Sequence, residues 1–210
     1  MNEQFYPAEF DEWAEHYDQT VSAGPAFPFA GYDQVLQTIF EQAQGVPGSC
    51  ILDLGTGTGN LAALFARSGC RVWGLDFSEQ MLVQARLKLP QVNFARADVR
   101  EPLPAAFQQA YQAVVSGYTF HHFPLAERVA LVSRLLGENV LPGGRVLIGD
   151  IVFQDAAAED KVRRSEGENW EQEYFWLADE SLAAFRAAGI AAAYTPISFC
   201  AGVFCFNTKS

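Results

Sequence analysis

The chain is short of basic residues: 14 Lys and Arg stand against 25 Asp and Glu in 210 residues, for a formal charge of −11 and a sequence pI near 4.6. Proteins that bind nucleic acid neutralise phosphates with clustered Lys and Arg, so this balance excludes a phosphate-backbone partner as the expected one and disfavours an anionic membrane surface. No apolar run approaches the roughly 20 residues needed to span a bilayer. The start, Met1-Asn2-Glu3-Gln4-Phe5, has neither the basic flank nor the apolar core of a secretory signal. Cysteines are few (Cys50, Cys70, Cys200 and Cys205), show no C-x-x-C spacing and lie among apolar residues. They are expected as reduced core thiols of a cytoplasmic protein, and no metal site is expected. Repeats, low-complexity tracts and long linkers are also missing. What is present is a chain 50% apolar and of a length suited to one domain, 1–210.

Residues 1–49 read as a helical prelude. Pro7 suits a first helical turn, and Phe10, Trp13, Ala14, Tyr17 and Val21 share one face. The stretch from Ser22 to Pro28 breaks that helix. In a second one Tyr32, Val35, Leu36, Ile39, Phe40 and Ala43 keep the i, i+3, i+4 pattern until Gly45 and Pro47 stop it.

From Cys50 on, short apolar strands (Cys50–Leu54, Arg71–Leu75, Val92–Ala95, Ala113–Ser116, Arg145–Gly149) alternate with helical stretches (Asn60–Arg67, Glu79–Leu87, Leu125–Leu136). Ser78 is placed to cap the second of these helices. Near the end comes a helix at Ser181–Ala188, capped by Asp179 or Ser181. Two strand-like runs follow, Ala192–Phe199 and Val203–Phe206, joined around Ala201-Gly202 as an antiparallel hairpin. The expected fold is α/β: an open, mainly parallel seven-stranded sheet with helices on both faces, an antiparallel carboxyl-terminal hairpin and a helical amino-terminal prelude. The prelude or lid would occupy 1–49, a ligand-binding core 50–150, and an insertion with the last helix and hairpin 151–210.

The most informative residues are Asp53-Leu54-Gly55-Thr56-Gly57-Thr58-Gly59-Asn60. An apolar strand ends in glycines that permit a tight turn and close approach of a ligand, and a helix start then offers free N–H groups. Dinucleotide sites use G-x-G-x-x-G, whereas the position that would carry the third glycine is Asn60. No Gly-Lys-Ser or Gly-Lys-Thr closes a P-loop. The pattern G-x-G-x-G suits an adenosyl ligand without a pyrophosphate. Asp76 ends the next strand, 21 residues past Gly55, where a carboxylate accepts from ribose hydroxyls, and Asp98 ends the third strand.

With these residues the chain resembles the class I methyltransferases that depend on S-adenosylmethionine, from about Phe10 to its end. Within them it is most similar to the bacterial YrrT-like group. The first motif is Asp53 to Gly59, the second Leu75-Asp76 (that group can carry Glu at this position), the adenine position Asp98-Val99, and the turn into strand five Leu141 to Arg145. The prelude from Trp13 to Val21, the segment Thr119-Phe120-His121-His122-Phe123 and the aromatic final hairpin carry the likeness to the group.

The resemblance implies a Rossmann-like methyltransferase fold, S-adenosyl-L-methionine as cofactor and methyl transfer to a small-molecule acceptor. Gly55, Thr56, Gly57 and Gly59 would lie against the methionyl part and ribose. Asp76, with Phe77, would hold the ribose, Asp98 and Val99 the adenine, and Asp53 the loop or the cofactor's ammonium. Tyr17 would close over the cofactor or simply pack in the core. His121 and His122 are the candidate catalytic residues, as bases or as the polar wall of the acceptor pocket. Trp170, Tyr174, Phe175 and Trp176 are candidate acceptor walls, with Glu171 and Glu173 selecting a cation, or else belong to a helix with aromatics turned inward. Arg163 and Arg164 read as a solvated face. The Asn-Pro-Pro-Tyr, Asp-Pro-Pro-Tyr and Pro-Cys signatures of DNA methylation are missing. A cofactor-binding protein without transfer activity is the alternative, and a nicotinamide oxidoreductase a third reading that Asn60 disfavours. The sequence leaves the oligomeric state and the acceptor atom open.

Overall fold

The structure, a computed structural model, describes residues 11, 14, 16–21, 24 and 26–208. Phe10 and Trp13 of the expected first helix face, and Pro7, lie outside them.

A short helix α1 (Tyr17–Val21) and helix α2 (Tyr32–Ala43) form the described part of the prelude. The alternating core follows as β1 (Cys50–Leu54), α3 (Asn60–Arg67), β2 (Arg71–Asp76), α4 (Glu79–Lys88), β3 (Asn93–Arg96), β4 (Tyr111–Gly117), α5 (Leu125–Glu138) and β5 (Val140–Phe153). Then come α6 (Ala156–Glu166), β6 (Trp176–Leu177), α7 (Ala178–Ala187), β7 (Ala192–Pro196) and β8 (Ala201–Asn207). Strand order is β3-β2-β1-β4-β5-β8-β7, parallel as far as β5, with β8 antiparallel to both β5 and β7. The chain order reverses between β1 and β4, which opens a crevice at the carboxyl ends of those strands.

The sheet divides two apolar clusters. On one face α2, α3 and α6 pack through residues such as Val35, Ile39, Phe65 and Val162; on the other, α5 and α7 pack through Leu131, Leu135 and Phe185. Val35 and Ile39 are wholly buried, each stabilising the fold by roughly 1.5–3 kcal/mol. They sit directly on Gly149 of β5: a Cβ there would lie 2.4 Å from Val35 Cγ1 and 2.7 Å from Ile39 Cδ1. This close fit holds the prelude over the crevice.

Local signals placed several boundaries well. Helix α3 runs as expected, and Ser78 Oγ accepts from the Met81 N–H at the start of α4. Other expectations need correction. Helix α2 is ended by Gln44 in a left-handed conformation (φ 52°), one residue before Gly45. The last helix starts at Ala178, with Leu177 at the cap position and no capping side chain; Asp179 lies inside its first turn and Ser181 is buried within it. The hairpin turns at residues 197–200, where the Ile197 and Ser198 N–H groups donate to Ala201 O, so Ala201-Gly202 belongs to β8. Strand β5 runs on past Gly149 to Phe153, and its extension pairs with a two-residue eighth strand, β6, in parallel register.

The aromatic segment before β6 is a 3-10 turn (Gly167–Asn169) and a run without regular secondary structure, not a helix. Trp176 is fully buried, stacked on Phe204 at 4.7 Å, and so belongs to the core. Trp170 and Phe175 pack against Phe27 and Phe153, while Tyr174 is exposed. Arg163 and Arg164 both pair with Asp160 at the surface. All four cysteines are free thiols, three of them buried. Among the described residues no helix is long and apolar enough to cross a membrane.

Candidate functional site

The glycine turn leaves β1 with three left-handed residues, Gly55 (φ 67°), Gly57 (φ 54°) and Gly59 (φ 85°). It is stitched to the end of β2: the Thr56 N–H donates to Leu75 O at 2.8 Å, and the Gly57 N–H to Asp76 Oδ2 at 2.8 Å. At Gly55 a Cβ would lie 2.8 Å from the Thr119 Cβ and nearer still to its γ atoms, whereas nothing stands within 4 Å of one at Gly57. The loop is thus closed on the Thr119 side and open at Gly57.

Two buried carboxylates back this loop. Asp53 accepts from Thr56 Oγ1 at 2.7 Å through Oδ2, while its Oδ1 is buried with no hydrogen-bond partner among the described residues. Burial, with Asp76 nearby, pushes its pKa up to about 7 against the help of Thr56 and of the Ala62 amide, which lies near the carboxylate without reaching hydrogen-bond geometry. Asp76 is 5% exposed and accepts the Gly57 and Ser78 N–H groups. Burial outweighs those bonds and lifts it to about 6. A carboxylate offers about four lone-pair positions, so Asp76 retains capacity for further donors. Phe77, next in the chain, directs its carbonyl to Arg96 Nε at 2.9 Å.

Asp98 lies two residues beyond the end of β3, with Val99 buried behind it. Arg100 grips both Asp98 oxygens, the shortest contact being 2.5 Å, and holds the carboxyl below its ordinary range against the effect of partial burial. Sequence reasoning did not foresee this partner.

The prelude closes over the same loop. Asp18 accepts from Thr58 Oγ1 at 2.6 Å, Asn60 Nδ2 at 2.9 Å and Lys88 Nζ at 2.8 Å. Its pKa falls because these donors outweigh desolvation. The negative charge sits at the amino terminus of α3, where the helix dipole favours it. Asn60 also donates to Tyr32 Oη at 3.2 Å and accepts from Lys88 at 2.6 Å, so side chains cover the helix start that a pyrophosphate would need. Ser78 Oγ reaches Asp11 at 2.5 Å.

Tyr17 is half-buried, its hydroxyl end enclosed near Tyr32, Tyr118 and Asp76; burial and those neighbours raise its pKa well above the ordinary value. Tyr118, stacked on Tyr32 at 5.1 Å, is a non-glycine residue at φ 54°, and its buried hydroxyl has no partner among the described residues. Sequence reasoning missed Asp11, Asp18, Lys88 and Tyr118, whose significance lies in contacts across the fold.

Beyond β4 the chain turns at once. Thr119 Oγ1 donates to Gly117 O at 3.2 Å and Gly55 O at 3.4 Å, then Phe120–His122 form a 3-10 turn. His121 is buried, its Nδ1 2.5 Å from Oδ1 of the wholly buried Asp150. Desolvation opposes charge on His121, but the Asp150 carboxylate outweighs it and the pKa rises. His122, with its ring 4.0 Å from that of His121, is held below its ordinary value by burial and by that neighbour. Glu173, from the segment before β6, faces both rings. Arg128, buried on α5, donates to the carbonyls of Phe123 (2.6 Å) and Tyr174 and lies 4.4 Å from the Trp176 ring centre. Burial pushes Arg128 down to about 10. Asp150 was missed because strand five was expected to stop at Gly149; a carboxylate inside the apolar run Ile148 to Phe153 was the available signal.

Comparison with known proteins decides the family. A methyltransferase-domain model matches residues 51–144. An uncharacterized methyltransferase of Geobacillus sp. (strain WCH70) is 34% identical over 179 residues, covering 81% of this chain and 78% of that protein. The chain belongs to the class I S-adenosylmethionine-dependent methyltransferases. Another uncharacterized methyltransferase, of Geobacillus kaustophilus, is 30% identical over 88% of each protein. The fold matches that of magnesium protoporphyrin IX methyltransferase from Synechocystis, solved with bound SAH, at a TM-score of 0.72 and 17% identity, covering 97% of this chain and 98% of the other. As a member of its family, shown by the 34% identical relative, this methyltransferase takes S-adenosyl-L-methionine as its cofactor. Its residues fit that group in three ways: an orphaned buried oxygen on Asp53, a second on Tyr118, and open space over Gly57.

Proposed function

We propose that the methyltransferase acts on a small-molecule acceptor held between the Phe120–His122 turn and the segment that carries Glu173. The observation behind this reading is the contact of Thr119 with Gly55: the histidine turn begins against the glycine loop, so cofactor and acceptor sides adjoin. When bound, the cofactor supplies an electrophilic methyl group on sulfur. The chain then has to hold the acceptor in line, a task worth several kcal/mol of barrier. In this reading Gly55, Thr56, Gly57 and Gly59 line the methionyl and ribose side, and Asp76 and Phe77 the ribose. Asp98 and Val99 hold the adenine, with Arg100 positioning Asp98. Asp53 and Tyr118 offer their spare oxygens to the cofactor. Tyr17 and Asp18, within the lid 1–49, cover it. His121 and His122 hold the acceptor near its nucleophilic atom. The acidic charge and absent DNA-methylation signatures support an acceptor other than nucleic acid, and the free thiols support a cytoplasmic setting. The single sheet that separates both apolar clusters supports reading the chain as one domain.

Incubation with isotopically labelled methyl donor and a metabolite panel tests the acceptor class. A labelled small molecule is expected; label confined to nucleic acid or protein would overturn the reading.

The carboxylates make cofactor binding dependent on pH. Donors from the ligand favour ionised Asp53 and Asp76, so binding releases protons and affinity is expected to fall as pH drops from 8 to 6. The raised pKa values have the opposite effect without ligand. They contribute stability present below the ordinary Asp range and lost as pH rises through about 6 and about 7. The thermal shift given by S-adenosylhomocysteine is therefore expected to be larger at pH 8 than at pH 6. Equal shifts would count against both assignments. Asp76→Ala is expected to weaken cofactor binding by about 1–3 kcal/mol, the scale of losing a charged hydrogen-bond partner. Unchanged affinity by calorimetry would remove Asp76 from the ribose site.

A further inference from the structure

His121 Nδ1 is engaged by Asp150, which leaves Nε2 facing Glu173 Oε2 at 3.6 Å; His122 Nδ1 faces Glu173 Oε1 at 3.4 Å. A ligand atom from each of the three residues can be chosen so that all lie within 4.8 Å of one another. Glu173 pairs with both rings and shares a side-chain hydrogen bond with His122, but both separations exceed the roughly 2.7–2.9 Å of a tight charge-assisted N–H···O bond. They suit neighbours around one ion: two atoms each about 2.1 Å from a tetrahedral cation stand about 3.4 Å apart.

We propose that His121 Nε2, His122 Nδ1 and the Glu173 carboxylate bind a divalent first-row transition cation on the acceptor side of the cleft. Two imidazoles and one carboxylate are the donor set such ions favour, whereas magnesium and calcium prefer oxygen alone. Three protein ligands leave positions open for water or an oxygen of the acceptor. That last role rests on the function proposed above; metal binding itself does not.

The surroundings are built for the task. The Asp150–His121 pair is the carboxylate–histidine arrangement that orients a metal-ligating imidazole. Asp150 is itself fixed by the N–H groups of His121 (2.9 Å), Ile151 (2.8 Å) and Trp176 Nε1 (3.1 Å). Glu173 is held through its chain neighbour, because the Tyr174 N–H donates to His121 O at 3.0 Å and Arg128 donates to Tyr174 O. The Glu173 side chain is 32% exposed, which gives an ion a way in. Two carboxylates, Asp150 beside the cluster and Glu173 within it, stand against the buried guanidinium of Arg128.

The test is a titration of chelator-treated full-length protein with Co²⁺, followed by its visible absorption, and with Zn²⁺ in competition with a chromophoric chelator. One saturable equivalent is expected, not displaced by excess Mg²⁺. Glu173→Gln and His122→Ala are each expected to weaken it at least about tenfold, and Asp150→Asn by roughly 10–100-fold. Zn²⁺ should raise the melting temperature of the wild type but not of Glu173→Gln, a change at a partly exposed side chain outside the apolar core. No saturable binding, or equal binding in wild type, Glu173→Gln and His122→Ala, overturns the proposal. S-adenosylhomocysteine affinity in the same samples and product formation from labelled donor report separately on the cofactor cleft and the acceptor reading, so failure of one is distinguishable from failure of the other.

Discussion

Asp150→Ala is expected to cost about 3–5 kcal/mol of stability, the range for stripping a partner from a buried charge. The carboxylate answers four donors at once: His121 Nδ1 and the N–H groups of His121, Ile151 and Trp176 Nε1. Its removal also leaves the Arg128 charge less balanced in the interior. For a protein of this length the melting temperature should fall by roughly 10 °C or more. Asp150→Asn, which keeps one carbonyl oxygen for these donors, should recover part of the loss. The pH profile gives a second check. His121 has a raised pKa, so its contribution is complete below the ordinary imidazole value and fades as pH rises through the folded value. Asp150 is lowered by His121 despite its burial, so its contribution is complete above the ordinary carboxylate value and fades as pH falls. The stability gap between wild type and Asp150→Ala should therefore be widest between about pH 4 and 6.5. A loss under 1 kcal/mol, or a gap that widens steadily into alkali, would contradict this account.

Gly55→Ala and Gly57→Ala are expected to separate folding from cofactor binding. Both place a β-carbon on a left-handed residue, at a cost of about 1–2 kcal/mol. At Gly55 the new carbon also meets Thr119, whose Cβ is 2.8 Å away, and side-chain rotation cannot relieve that contact. Overpacking adds about 1–3 kcal/mol, so Gly55→Ala should melt roughly 6–15 °C below wild type. Gly57→Ala meets no protein atom within 4 Å and should lose only the conformational part. Its methyl group occupies the space left for ligand, however, so affinity for S-adenosylhomocysteine should fall at least tenfold in a protein that remains folded. Calorimetric titration beside a thermal melt reads both quantities. Tight binding by Gly57→Ala would move the cofactor off this face of the loop.

The cofactor half of the site was legible because its determinants are local. Strand, glycine turn and helix start follow within Ile51 to Leu61, and the Ser78 cap needs only the residues after it. The acceptor half depends on distant parts of the chain meeting. Glu173 reaches His122 and His121 from 51 and 52 positions away, so the three residues have no ligand spacing to read, and the adjacent pair alone suggested only a base or a wall. Trp176 looked like a pocket wall because nothing near it announces a two-residue strand; its burial is set by Phe185 and Phe204. The Asp18–Lys88 contact spans 70 positions and brings together two unremarkable helices. At Gln44, packing of α2 on β5 prevailed over the glycine signal that follows it.

Arg128 takes hold of main-chain oxygens, at Phe123 and Tyr174, and every residue type carries those oxygens. This part of the anchorage is therefore indifferent to which side chains the segment displays, while Trp170 and Phe175 hold it through their packing on Phe27 and Phe153. Descendants of this enzyme could exchange the exposed Glu171, Gln172 and Tyr174 for others and acquire a new clientele of acceptors without rebuilding the platform beneath, provided the guanidinium and the two packed aromatics stay in place.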